Sequence, residues 1–534
     1  MAGYARYMWD LQEYMLLVQT EKYLPDGGLD VDIKYIIVQA GGRGSRLGYL
    51  TENKPKCLVT VGNRPMLFHL FEKYPDKKFI IIGDYKYDVL EKYLGTFAEA
   101  DFQLVNASGH KGTCSGLAEA AGLVPEGTPF MLIWSDLVLA DSYSFPEEDG
   151  NYVGLSGDFT CRWKYENGVF EEEASEKHGV AGHFIFMDKS TLSDVPEDGE
   201  FVKWLQGKDI PFKTQVISST KEYGLLEEYQ KAAHPRCRPF NRMWEQDGKL
   251  YKEGINDQGR ELAVKEREWY QEAVRLGYTN IPEIYSFKPL VMEKINGGNI
   301  YGYKDLPLPE KEKMVREIVK GLKKLHSLAG TEADAASTME TYRDKTLERI
   351  TKIKGVVPFA SQEYININGR KCHNAYHFME ALARKAGSIK AKKFCFIHGD
   401  CTFSNMMSRE DGEIVLVDPR GYFGHTQFYG DPAYDWAKVY YSIAGDYDQF
   451  NMKNFRLHFD RGNVQVDIET NGFRETEKLF LGLVKEDADE KEIKLLHALI
   501  WLSLAAYAWD DYDSVCAAYY MGLYYFEEAG GWET

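Results

Sequence analysis

Paired cysteines are missing from this 534-residue chain. Its eight cysteines, at 57, 114, 161, 237, 372, 395, 401 and 516, match no zinc-site or disulfide-framework spacing, which suits a reducing compartment. Cys401 sits beside Asp400, but no base-oriented triad surrounds it in the sequence, and it reads as a small packing residue. No run reaches the roughly 18 apolar residues of a membrane-spanning helix, and no basic segment leads into an apolar one near Met1. The expectation is a cytoplasmic chain without membrane insertion. An excess of basic residues is also missing: the formal charge of -18 argues against a nucleic-acid partner, which would require a basic face. Low-complexity tracts are absent, so long disordered stretches are not expected.

What is present is enough apolar material, 44% of residues, for each of two or three domains to bury a core. Residues 4–23 read as a helix ending at Pro25-Asp-Gly-Gly28, an N-terminal extension over 1–31. From Ile33 short apolar runs alternate with amphipathic segments: Tyr35–Gln39, Pro65–Tyr74, Phe79–Gly83, Tyr87–Leu94, Phe130–Trp134. This alternation predicts a doubly wound α/β domain over 32–233 with a largely parallel sheet, whose ligands collect at the carboxyl ends of the strands. The pattern breaks near Ala232–Arg236. A strand pair joined by Gln246-Asp-Gly248 follows, then a helix over Glu261–Leu276 and a mainly helical remainder, a second domain over 236–534. Because each half holds a full set of elements, the two are expected to fold and act when expressed separately.

Two phosphate-handling constellations stand out. In the first, Ala40, Gly41, Gly42, Gly44 and Ser45 follow a strand, and the glycines let backbone N–H groups approach phosphates while a helix start adds its dipole. Arg46 and Lys56, the latter in Lys54-Pro55-Lys56, supply cations for charge building on a transferring phosphate. In the second, Asp400 follows the apolar strand Phe394–Ile397, Asn405 stands five residues on, and Asp418 ends the strand Ile414–Val417. One carboxylate near an acceptor hydroxyl plus separate ligands for magnesium is what phosphoryl transfer from ATP requires.

The first constellation, with Gly62-Asn-Arg-Pro65, resembles the sugar-phosphate nucleotidyltransferase family over about 33–230. The likeness implies a domain that joins a nucleoside triphosphate to a phosphorylated small molecule, with Mg2+, and releases pyrophosphate. It implies catalytic roles for Arg46 and Lys56, a metal-binding Asp136, a nucleobase-facing loop around Gly112 and a substrate-phosphate contact from Lys177. The wording Thr51-Glu-Asn-Lys-Pro-Lys56 is similar to the phosphocholine cytidylyltransferase branch, which favours CTP. The chain departs from the family at the second metal-binding acid, where Glu222-Tyr-Gly224 stands.

The run Ile397-His-Gly-Asp400, Asn405, Val417-Asp-Pro-Arg-Gly421 and Gly430-Asp-Pro-Ala-Tyr-Asp435 resembles the aminoglycoside phosphotransferase and choline kinase family over about 236–534. That likeness implies a two-lobed α+β protein-kinase-like fold, with Asp400 as base and Asn405 and Asp418 as metal ligands. His398, Asp431 and Asp435 become structural supports. Lys252 becomes the lysine on the α- and β-phosphates, with Glu268 as its helix partner and Glu266 as the near rival. Met292-Glu-Lys294 becomes the adenine-reading hinge, and Arg420 a contact to phosphate or substrate. The aromatic tail, Trp501 to Tyr524, is open to two readings: an ammonium cage or core packing.

The sequence therefore predicts a bifunctional enzyme. A kinase would phosphorylate a choline-like alcohol or polyol, and a transferase would couple the product to a nucleotide for cell-surface glycan decoration. A sugar 1-kinase with a UTP- or GTP-dependent transferase is the alternative, as is one active domain regulated by a degenerate nucleotide-binding partner. Homo-oligomerisation is left open.

Overall fold

A computed structural model describes residues 31–231 and 241–533. The expected N-terminal helix and the expected domain junction at 233–236 lie outside the described residues.

In the first domain, β1 (Tyr35–Gln39), α1 (Met66–Lys73), β2 (Lys78–Gly83) and α2 (Tyr87–Phe97) follow one another as the alternation predicts, then β3 (Asp101–Asn106), a strand it did not predict, and β4 (Phe130–Trp134), which it did. The strands β4, β1, β2 and β3 lie side by side, all parallel, with Tyr35 level with Lys78 and Phe130. Strands β1, β2 and β4 are buried on both faces, as continuous runs such as Ile36-Ile-Val38 require, whereas β3 at the sheet edge is largely exposed. Ile36 and Val38 join Leu67, Phe71, Leu90 and Leu94 of the helices on one side, while Ile37 joins Leu117 and Ala121 on the other. Past β5 (Leu137–Val138), the sheet turns mixed. Strand β6 (Tyr152–Ser156) and the long β7 (Gly179–Phe186) run antiparallel to each other, β7 pairs antiparallel with β4, and β8 (Lys213–Val216) adds parallel to β6. A last short strand, β9 (Lys221–Glu222), pairs with β5.

The second domain opens with the predicted hairpin, β10 (Asn241–Gln246) and β11 (Lys249–Gly254), then α3 (Asp257–Arg275), β12 (Ile284–Phe287) and β13 (Leu290–Glu293). These strands form a four-stranded antiparallel sheet in the order β10-β11-β13-β12, and α3 packs on it, making the small lobe of a kinase-like fold. The large lobe comprises α4 (Leu308–Ser327), α5 (Lys345–Lys352), β14 (Phe394–Phe396), β15 (Met406–Arg409), β16 (Ile414–Leu416), α6 (Pro432–Ile443), the hairpin β17 (Phe455–Asp460) and β18 (Asn463–Ile468), α7 (Glu490–Leu504) and α8 (Tyr512–Glu528). Among the described residues no helix is long and apolar enough to cross a membrane.

The expected independence of the halves conflicts with how they meet. Lys54, from the Lys-Pro-Lys turn, is buried and bonded to Asp511 and Asp513 at the start of α8. Asn53 donates to the Leu457 carbonyl of β17 (2.8 Å) and to Asp513 (3.0 Å). Tyr93 of α2 donates to the Trp509 carbonyl, and Trp509 packs on Phe68 of α1. One apolar cluster runs from the β1–α1–α2 face into the helices of the second domain. Separate expression would uncover this buried surface.

Most of the aromatic tail belongs to that core; Tyr507 is the exposed exception, with the Arg349 guanidinium over its ring. Trp501, Tyr512, Tyr519 and Tyr520 are fully buried, and Tyr519 and Tyr520 donate to Asn374 and to the Pro358 carbonyl. Rings consumed by packing offer no face to an ammonium group, so of the two readings the structure supports core packing.

Candidate active sites

At the first site, Gly44 adopts φ +66°, and a Cβ there would stand 3.0 Å from the Lys56 Cβ. Only glycine lets the turn close onto the Lys-Pro-Lys segment in that way. The helix start expected after the turn is instead a 3-10 segment over 45–51, broken at Gly48. The dipole contribution expected there is correspondingly smaller, because few peptide units align. Gln39, at the carboxyl end of β1, donates to the Thr113 carbonyl (2.7 Å) and so ties the loop around Gly112 beside the turn. Gly112 (φ +93°) abuts the backbone of Gly199, where a Cβ would come within 2.2 Å of the carbonyl oxygen.

Asp136 follows β4, and its carboxylate bonds the Lys56 ammonium. The β5–β9 ladder sets Glu222 level with Leu137, and the Tyr223 N–H donates to the Asp136 carbonyl (3.0 Å), so the two acids are neighbours. Burial and the Asp136 charge raise the Glu222 carboxyl, opposed by Lys56 and Arg46. Arg46 itself is exposed, as is Ser45. The buried Asp136 Oδ1 makes no hydrogen bond, an orphaned acceptor beside a second carboxylate, which fits a divalent cation shared with phosphate oxygens. Lys177 is exposed in the turn before β7, and no contact to a described residue draws it to these acids.

At the second site, Lys252 on β11 lies buried between Glu266 (2.8 Å) and Asp418 (2.6 Å). Glu266, not Glu268, is therefore the helix partner. Glu266 shares the buried face of α3 with Trp269, Tyr270 and Ala273, whereas Glu268 turns away and accepts from Gln427 (2.6 Å). Burial, opposed by Lys252, pushes the Glu266 carboxyl up to about 7.

Asp400 sits on a loop pinned from behind. The His398 and Gly399 N–H groups donate to Asp435 (2.9 and 2.8 Å), His326 bonds the same carboxylate (3.0 Å), and the His398 ring reaches the Val417 carbonyl (3.0 Å). Asp431 caps α6 and accepts from Tyr342 (2.9 Å), so Asp431, Asp435 and His398 are supports, as read from the sequence. The Asn405 amide donates to the backbone carbonyl and carboxylate of Asp400 (2.8 and 3.1 Å). A cavity of about 580 Å³ opens between the lobes, lined by Leu250, Met292, Lys294, Met407 and Val417, where the hinge was placed. The hinge side chains Glu293 and Lys294 pair with Arg409 and with Glu245 (2.8 Å), and the Glu293 N–H donates to the Glu283 carbonyl (2.8 Å).

Three cations near Asp400 or Arg420 escaped the sequence reading. Lys438 of α6 bonds the Asp400 carboxylate (2.9 Å), and Lys345 and Arg349 project from one face of α5. Their i,i+4 spacing was the available signal. The Arg420 guanidinium donates to the Tyr434 hydroxyl (3.0 Å) and lies over the Tyr422 ring at 4.4 Å. Cys401 is buried, and burial raises its thiol well above the ordinary range, as befits packing rather than attack.

Comparison with known proteins agrees with this division. Residues 255–464 match the phosphotransferase enzyme family, and residues 35–183 match the nucleotidyl transferase family. The chain is thus a fusion of a nucleotidyltransferase domain with a kinase-like phosphotransferase domain. Curated relatives include the catalytic subunit beta of mannose-1-phosphate guanylyltransferase from Dictyostelium discoideum, 29% identical over 21% of this chain and 34% of that protein. Another is a UTP–glucose-1-phosphate uridylyltransferase from Haloferax volcanii, 30% identical over 19% of this chain and 42% of its own length. The chain thus spans less than half the length of either. Among solved structures, HddC from Yersinia pseudotuberculosis (20% identity, TM-score 0.32) covers 38% of this chain and 98% of its own. The inositol-1-phosphate CTP transferase of T. maritima (16% identity, TM-score 0.33) covers 38% and 93%.

Proposed function

We propose that the chain carries out two consecutive steps. The C-terminal domain phosphorylates the hydroxyl of a small alcohol with ATP, and the N-terminal domain couples the new phosphate to a nucleotide, releasing pyrophosphate. The observation that carries this reading is the coexistence of two complete lysine–carboxylate constellations in one chain: Lys56 with Asp136 and Glu222, and Lys252 with Glu266 and Asp418 beside Asp400 and Asn405.

In the kinase site Asp400 takes the hydroxyl proton, Lys438 and Asn405 hold its carboxylate in place, and Lys252 neutralises the ATP phosphates. In the transferase site the Gly41–Gly44 turn takes the triphosphate against its backbone, while Lys56 and Arg46 meet charge on the reacting phosphate. Mg2+ would be held by Asp136 and Glu222 in one site and by Asn405 and Asp418 in the other, where it neutralises phosphate charge. Among the described residues no group of three or more His, Cys, Asp or Glu side chains is assembled for a metal, which suits a cation completed by substrate phosphates.

CTP is the favoured nucleotide on the Thr51–Lys56 wording. The matched relatives bear the names of guanylyl-, uridylyl- and cytidylyltransferases, so UTP and GTP are the comparisons to run. Both constellations retain their charged members, which favours two active domains over a regulatory remnant. The product would be a nucleotide-linked donor for cell-surface glycans, made in the cytoplasm. The test incubates the full chain with ATP, each nucleotide and a panel of alcohols and sugars, and looks by mass spectrometry for a nucleotide conjugate. ADP formation without any conjugate would leave the kinase step and remove the coupling.

A further inference from the structure

The surroundings of Asp400 hold more positive charge than phosphoryl transfer from ATP needs. Lys252 already addresses the nucleotide side, between Glu266 and Asp418. Lys438 of α6 pairs with Asp400, Arg420 of the Asp418–Gly421 turn packs against Gly399 beside it, and Lys345 and Arg349, one helical turn apart on α5, lie near enough for their charges to act on Arg420. Asp400 is the carboxylate acting on Lys345, Arg420 and Lys438, and Lys438 pairs with it directly. The other partners are neutral: Arg420 is held by Tyr434 and Tyr422, and Arg349 donates to the Ser503 carbonyl (2.7 Å) and lies over Tyr507. The Lys345 ammonium makes no hydrogen bond or salt bridge to a described residue. So dense a cluster of cations, in a chain of net charge -18, is costly without an anion to complete it.

We propose that the acceptor alcohol is itself an anion, a hydroxy carboxylate or a phosphorylated polyol, whose charged group docks on Lys345, Arg349 and Arg420 while its hydroxyl faces Asp400. This rests on the kinase reading of the C-terminal site. Burial and the three neighbouring cations push the Lys345 ammonium well down from its ordinary range, and a bound anion relieves that repulsion. In the reaction the acceptor oxygen bonds to the γ-phosphorus as the bond from that phosphorus to the ADP oxygen breaks, and the hydroxyl proton passes to Asp400. A quaternary ammonium alcohol meets repulsion in this cleft.

The experiment compares D-glycerate, sn-glycerol 3-phosphate, glycerol and choline as acceptors for the full chain, reading ADP formation and, by calorimetry, binding. The expected result is a kcat/KM for at least one anion about tenfold or more above glycerol and choline. Lys345→Met should erase that preference through KM, leaving unchanged the KM for ATP and the pyrophosphate release from pre-phosphorylated substrate. Lys345→Arg should keep the preference, which guards against mere misfolding. The two anions separate carboxylate from phosphate recognition. Equal use of glycerol or choline would overturn the proposal, as would a Lys345→Met variant that lowers kcat for all acceptors alike, the mark of a role at the transferring phosphoryl group. If none of the four yields ADP, the kinase reading is what suffers. Anion binding that depends on Lys345 would still support the proposal, and anion binding absent or indifferent to Lys345 would overturn it.

Discussion

Replacing Lys54 by Met keeps the stem and deletes the charge that joins the two domains. In the native chain the ammonium bonds Asp511 and Asp513, with side-chain exposures of 3%, 8% and 14%. Its loss leaves two carboxylates in a buried site. Asp511 keeps Ser514 (2.7 Å) and the charge of Lys453, whereas Asp513 keeps Asn53. Removing one partner of a buried ion pair costs about 3–5 kcal/mol, while an exposed pair is worth about 0–1. The burial here places the expected loss in the first range. Lys56 lies two residues on, at the reacting centre, so pyrophosphate release should fall as well. Urea denaturation of the full chain, followed by separate probes in each domain to check for a single transition, measures the first effect. Adding Asp511→Asn and Asp513→Asn to Lys54→Met should recover part of the stability, since the stranded charges are then gone. A loss below about 1 kcal/mol with unchanged pyrophosphate release would refute the reasoning.

Glu266→Gln should lower kinase turnover by an order of magnitude or more, because Lys252 loses the carboxylate that orients it, whereas Glu268→Gln should stay within about twofold; initial rates of ADP formation decide between them. Lys56→Ala should cut pyrophosphate release about 10²-fold and leave ADP formation intact, read in parallel coupled assays. His497 is buried and accepts a hydrogen bond from the Trp501 indole (2.9 Å), and burial lowers its imidazole to about 3. Between that value and about 6.5 the unfolded chain binds the extra proton, so stability is full above about pH 6.5 and falls by about 1.4 kcal/mol per unit below it. His497→Gln should flatten that slope in denaturation curves taken at a series of pH values.

Local pattern carried much of this architecture. The parallel strands β1, β2 and β4 were legible because each is a short, largely apolar run, and the β10–β11 hairpin because Asp247-Gly248 announces its turn, whereas β3, with Asp101, Gln103 and Asn106, went unread. The reading failed where helix phase or distance decides. Glu266 could have been preferred over Glu268, since it shares the 3.6-residue face of Trp269, Tyr270 and Ala273. Nothing near Lys54 announces Asp511, 457 positions away, and a Lys-Pro-Lys motif read as one catalytic unit hides that its first lysine serves the domain interface. The aromatic tail was ambiguous because burial and ligand binding select the same residues, and Lys438 was missed because its partner lies on another element.

The most direct test of the two-step account follows ADP and pyrophosphate together when the full chain receives ATP, CTP and an acceptor alcohol that it phosphorylates, in wild type and in Asp400→Asn. The account predicts that ADP leads and pyrophosphate follows in wild type, that neither appears with Asp400→Asn, and that supplying the phosphorylated alcohol restores pyrophosphate alone. Pyrophosphate released by Asp400→Asn from the unphosphorylated alcohol, or ADP formed at the wild-type rate, would contradict it.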